Sequence, residues 1–234
     1  GCAMPLPFAG LGLRLGASAV SSVLPSPSGP RGFNINVETD VRVALMMLKR
    51  VGERNLPLAI AQSLTATAKH LQKVQKRSLR KHLDRPTPFT EKGFGLNMAR
   101  WKDFKRGTMF ARVFVKPIQS RYLEYQVYGG IRNPPKRANV VPGKDTKVNK
   151  YGNLSEKYVQ TQLSKPSTYV GKINGVSGIW QRFKSGRQKL LVLFTGATEY
   201  RARYPFFRIS DRIVARELPK QINKAVRRAL KARK

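Results

Sequence analysis

The side chains that recur in this sequence at spacings able to do chemistry are cations. Lys69, Lys73, Lys76, Arg77, Arg80 and Lys81 stand at i, i+4, i+7, i+8, i+11 and i+12. On an α-helix that spacing puts all six on one stripe, and no acid interrupts it. Lys220, Lys224, Arg227, Arg228 and Lys231 form a second stripe near the end of the sequence. The chemistry open to such stripes is recognition of anions. Six phosphate contacts would give log K a slope of roughly −5 against log salt, with no dependence on base sequence. The alternative is that each stripe is merely the solvated face of an amphipathic helix. It is weakened here because solvated faces mix signs and these do not. The partner expected is therefore DNA or an acidic protein surface.

The inventory for catalysis is thin. The 234 residues include 46 Lys plus Arg against 12 Asp plus Glu, a formal net charge of +34. Cys2 is the one cysteine and His70 and His82 the two histidines, so a disulfide framework and a His/Cys zinc set are excluded. A nuclease needs clustered carboxylates for its metals, and these acids are scattered. Glu38 and Asp40, the close pair, sit at a helix start where they favour the helix dipole. No Walker loop, zincin motif or nucleophile elbow is present. Gly93-Phe94-Gly95 and Gly10-Leu11-Gly12 read as loops, and His70, among lysines, as a solvated residue. We therefore expect no enzymatic activity, cofactor or metal site. No helix-turn-helix, zinc-finger or RNA-recognition signature points to sequence readout. Tyr122, Tyr125 and Tyr128 could stack on bases, but their spacing favours the packed face of a short element. Trp101 and Trp180 read as core or interface anchors.

The elements that must position the stripes follow from periodicity. Residues 1–36 are rich in Gly, Ala, Ser, Pro and Leu, show no amphipathic period, and read as an extended N-terminal arm. Their Leu6 to Leu24 stretch is broken by Arg14 and followed by Pro25, Pro27 and Pro30, which disfavours a cleaved signal; no membrane partner is expected. Val41, Leu45, Leu48 and Val51 predict a helix from Glu38 to about Gly52. Pro57 suits the first turn of a second helix, whose buried face is Ile60, Leu64, Ala68, Leu71 and Val74 or Gln75, to about Leu79. That helix stops before Pro86-Thr87-Pro88. Residues 91–105 read as a mixed loop. Met109, Ala111, Val113 and Val115 alternate as a strand, a short strand covers Ala138 to Val141, and Ser155 can cap a short helix to Leu163. Asn174-Gly175 joins two strands as a type I′ hairpin, and a turn at Ser185-Gly186 adds a third, Lys189 to Thr195. A last helix runs from about Ser210 with Ile213, Leu218, Ile222, Val226 and Leu230 inside, and Pro219 should kink or divide it. The fold class is α+β: long N-terminal helices and a basic C-terminal helix packed on a small antiparallel β-sheet, in a single domain over residues 37–234.

Several of these segments resemble the minor tail and tail-completion (neck) proteins of tailed bacteriophages, related to the lambda-type minor tail protein Z. They are Ala59 to Lys69, Tyr122 to Gly130, Lys150 to Leu154, Gly171 to Arg182, and Tyr204-Pro205-Phe206-Phe207 leading into the basic helix. The resemblance spans roughly residues 37–234 and leaves the arm outside it. It implies a structural virion protein, assembled in the bacterial cytoplasm, that forms a homo-oligomeric, hexameric ring at the head-tail junction. Neighbouring connector or stopper, tail-terminator or tail-tube rings are its implied partners, with packaged double-stranded DNA in the lumen. Phe8, Leu11, Leu13 and Leu15 of the arm, with Tyr128 and Trp180, are the expected oligomer contacts. The other reading kept open is a basic nucleic-acid-binding protein of ribosomal or nucleoid type.

Overall fold

The computed structural model describes residues 33–37, 55–104, 106, 108–134 and 137–231. The helix expected over 38–52 and the arm residues 1–32 lie outside that set. The fold is α+β. The stretch read as one domain forms two compact units, and one long helix, α1 (Asn55–His82), contributes residues up to Gln75 to the first and the rest to the second.

In the first unit α1 buries Leu56, Ile60, Leu64, Ala68, Leu71 and Gln75, a three- and four-residue repeat down one face. Gln75 rather than Val74 takes the last position. It can do so because its amide donates to the Phe206 carbonyl (2.9 Å) and Ser210 Oγ (2.6 Å), which satisfies a polar group taken out of water. Those partners lie on α5 (Phe206–Lys231), which runs antiparallel to α1: at the other end Ser63 Oγ lies 3.1 Å from the Gln221 carbonyl. Helix α5 begins four residues before the expected Ser210 and passes through Pro219 undivided. Proline removes one helical N–H, but tertiary packing, here through buried Ile213 and Leu218, outweighs local propensity.

Beneath the helices lies an antiparallel sheet in the order β1 (Asn34–Val37), β3 (Ala111–Val115), β2 (Phe94–Asn97). Ile35 pairs with Val113, and Val113 with Leu96. Strand β3 buries alternate residues as its pattern predicts. Phe206 is fully buried, edge-on to Phe33 at 4.8 Å and stacked with Phe94 at 6.4 Å. Two expectations change here. The boundary at residues 36 and 37 cuts through β1, so the folded chain already includes Phe33. The stretch read as a loop contains β2, and Gly95 is a strand residue whose missing Cβ leaves room for the ring of its cross-strand partner Phe114.

The second unit holds α2 (Pro88–Glu91), α3 (Pro117–Tyr128), α4 (Tyr158–Leu163) and two further sheets. One pairs β4 (Gly130–Arg132) with β9 (Thr198–Tyr200), neither of which the sequence pattern announced. The other is antiparallel in the order β5 (Asn139–Pro142), β8 (Gln188–Thr195), β7 (Val176–Arg182), β6 (Thr168–Ile173). Its β6–β7 turn is the expected type I′, with Asn174 at φ 48° and Gly175 at φ 81°. Ile179, Leu191 and Val192 form its core, covered by Leu154, Phe194 and, from α4, Tyr158 and Val159. Ser155 is not the cap of α4: Lys157 occupies that position and no side chain caps it. The small sheet foreseen as one is thus three, and the basic last helix belongs with the β1–β3–β2 sheet rather than with the hairpin meander.

Candidate anion-facing surface

Five of the six cations expected on α1 are exposed: Lys69, Lys73, Arg77, Arg80 and Lys81, with Lys76 half-buried. The stripe is not free of acid in space. Glu91 on α2 reaches Arg80 through two parallel bonds, Nε to Oε1 at 2.5 Å and a terminal nitrogen to Oε2 at 2.7 Å. The sequence hid this pairing because Glu91 lies beyond Pro86-Thr87-Pro88, and it is the Thr87-capped turn of α2 that carries it back. The Arg80 hydrogen bond holds Glu91 below the usual carboxylate range against an opposing push from burial, and Glu91 in turn raises Arg80. Arg80 is two-thirds exposed, so the pair orients the guanidinium more than it stabilises the fold.

On α5, Lys220, Lys224, Arg227, Arg228 and Lys231 are all exposed. Lys220 lies 3.6 Å from Glu217, which also accepts from Arg216 at 2.9 Å. Burial raises the Glu217 carboxyl, but the Arg216 hydrogen bond and the charge of Lys220 outweigh it and hold it low. None of the remaining stripe cations has an ion-pair partner among the described residues. The sequence reading missed the front of this stripe. Arg208, Arg212 and Arg216 are exposed and precede Lys220 at four-residue steps, giving an unbroken row Arg208, Arg212, Arg216, Lys220, Lys224, Arg228. Such a row is an i±4n ridge winding slowly across the helix surface. Arg208 precedes the helix start expected at Ser210, whereas Arg212 and Arg216 lie within the expected helix and their four-residue spacing was legible.

The other residues singled out from sequence divide. Tyr122 donates or accepts a 3.0 Å bond with Thr90, and the Tyr125 ring lies 5.9 Å from that of Tyr200, so these two are packed while Tyr128 is 55% exposed. The three tyrosines therefore do not form one stacking platform. Trp180 is half-buried on β7 opposite Tyr169 and Leu190, its indole N–H without a hydrogen-bond partner among the described residues. Trp101 is exposed rather than core. His70 is not the solvated residue expected: its Nε2 is buried and without a hydrogen-bond partner among the described residues. Phe8, Leu11, Leu13 and Leu15 lie outside the described residues, as do Glu38 and Asp40.

What each of these helix faces offers is cationic charge at fixed helical spacing, the chemistry that binds anions. Among the described residues no three His, Cys, Asp or Glu side chains converge as metal ligands, and no helix is long and apolar enough to cross a membrane. No known protein family, curated protein or solved structure matches the chain.

Proposed function

We propose that this chain is a non-enzymatic structural protein of a tailed-phage particle, one subunit of a hexameric ring at the head-tail junction that finishes the tail and joins it to the DNA-filled head. The observation that carries this reading is the pair of long helices whose exposed faces hold like charge with few counter-ions. A chain at +34 repels itself, and an assembly that supplies anions relieves that repulsion. The phage-like segments also fall on elements that organise the two units: Ala59 to Lys69 lies on α1, Gly171 to Arg182 spans the β6–β7 hairpin, and Tyr204 to Phe207 supplies the buried Phe206. The facing partners are adjoining rings of the neck and tail, or packaged duplex DNA in the lumen.

Native mass measurement and cryo-EM class averages of the purified chain test this reading, with closed rings expected. Removing residues 1–30 should weaken ring formation or head-tail joining; unchanged assembly would remove the arm from the mechanism. The same free cations favour a second reading, a nucleic-acid-binding protein of ribosomal or nucleoid type. A salt series with duplex DNA separates the two. Weak, steeply salt-dependent binding fits the ring subunit, and a specific complex of roughly nanomolar affinity at physiological salt fits the alternative.

A further inference from the structure

The tip of the β7–β8 hairpin carries a cationic feature built differently from the helical stripes. Its loop is closed by two backbone bonds, Phe183 N–H to the Arg187 carbonyl (2.9 Å) and Gly186 N–H to the Phe183 carbonyl (3.0 Å). The facing wall, just after β5, is pinned to the same sheet: Gly143 N–H and the Thr146 hydroxyl both donate to the Leu191 carbonyl, at 2.9 and 2.7 Å. Between them lies an open cavity of about 480 Å³, in the range of small-ligand sites. Lys144, Arg187 and Lys189 line it together with Asp145 and Phe183, and Phe183 is 43% exposed.

We propose that this cavity takes one nucleotide of a single-stranded nucleic acid, its phosphate held by Lys144, Arg187 and Lys189, its base laid on Phe183, and an exocyclic amine of the base donating to Asp145. Three cations call for an anion, and the Arg187 fork matches phosphate oxygens. An exposed aromatic ring beside them offers a face on which any base can stack. Asp145 accepts hydrogen bonds and donates none, so it suits an anionic ligand that also brings a donor. A nucleotide supplies phosphate, π-face and amine together. An acidic peptide supplies carboxylates for the cations but no base face for Phe183, and a duplex keeps its base faces stacked where Phe183 cannot reach them. The site does not depend on placing the chain in a virion.

The test is fluorescence anisotropy of the full chain with oligo(dC) and oligo(dT) strands of about twelve nucleotides, and with a duplex of that length, over a salt series. Phe183→Ala should weaken oligo(dC) binding roughly tenfold and leave the slope of log K against log salt unchanged, because no charge is lost. Phe183→Tyr should restore it, and duplex binding should stay within about twofold. Wild type should prefer oligo(dC) to oligo(dT), which lacks an exocyclic amine, and Asp145→Ala should erase that preference. Arg187→Gln should weaken strand binding and lower the salt slope by about 1; it carries the test should Phe183→Ala melt at a lower temperature than wild type. Equal losses for strand and duplex, or no loss in either variant, would overturn the proposal. A glutamate-rich peptide that competes with oligo(dC) and responds equally to Phe183→Ala would assign the cavity to an acidic protein instead. Free dCMP binding as tightly as the strand would make the ligand a mononucleotide and overturn the strand assignment.

Discussion

The two units are held together differently. In the first, Phe206 is fully buried with the rings of Phe33, Phe207 and Phe94 at 4.8, 5.2 and 6.4 Å, and the inner faces of α1 and α5 close over them. In the second, the four-stranded sheet rests on Ile179, Leu191 and Val192, and leaves Val140, Val141 and Val170 exposed on its outer strands. The first unit also carries the α5 row with Lys69 and Lys73 of α1, and there burial has self-repulsion to overcome. The thinner sheet carries the hairpin cavity, where a shallow core leaves loops free to shape a site. The deep core and the α5 row thus fall in one unit, and the hairpin cavity and the last turns of the α1 stripe in the other.

The two cores should differ most in what a lost side chain costs. Phe206→Ala should destabilise the chain by about 3–5 kcal/mol, whereas Ile179→Val, which trims the sheet core by one methylene, should cost about 0.5–1.5 kcal/mol. Urea unfolding followed by far-UV circular dichroism reads both. A larger loss at Ile179 than at Phe206 would reverse the ranking of the two units.

A smaller effect concerns the α5 row. Replacing Arg212, Lys220, Lys224 and Arg228 together with Gln should lower the slope of log K against log salt for duplex DNA by roughly 3 to 4. It should also raise the melting temperature at low ionic strength, because the row repels itself, and that gain should vanish in high salt as the Debye length shortens. The two readouts are independent. A lost slope without a gain in melting temperature would mean that the row's self-repulsion is already relieved within the fold.

How much of this was legible in the sequence depended on the range of the force concerned. The buried face of α1 was readable because it is a local period in an Ala-rich segment, and the β6–β7 turn because Asn174-Gly175 is a local conformational demand. β1 was hidden: Phe33 and Ile35 are buried by a strand and a helix far along the chain, and a four-residue strand beside a Gly/Pro/Ser-rich stretch carries too little pattern. β2 was hidden for the same reason, its Gly95 reading as a loop until the Phe114 ring is seen across from it. Pro219 does not divide α5 as one of the two expected outcomes had it, since a local penalty was outweighed by tertiary packing. The stripes were legible as charge but not as counted charge, because Glu91 reaches Arg80 only after the chain turns. The hairpin cavity was not legible at all. Lys144 and Arg187 are distant in sequence, and sheet register alone brings their segments together.

The smallest effect tests the α1 stripe at its neutralised point. Glu91 titrates below its unfolded value because Arg80 hydrogen-bonds its charged form, with burial opposing. A depressed carboxylate contributes stability that is present above the unfolded pKa and lost as pH falls through the folded one. Glu91→Gln should therefore be slightly less stable than wild type near neutral pH and equal to it in acid, and salt should shrink the gap because Arg80 is exposed. The same substitution leaves Arg80 without its acid. If α1 presents its cations to a polyanion, duplex binding should tighten and its salt slope should steepen by about 1. A shifted acid limb with an unchanged salt slope would keep the ion pair but remove α1 from the contact surface, leaving the α5 row to bind alone.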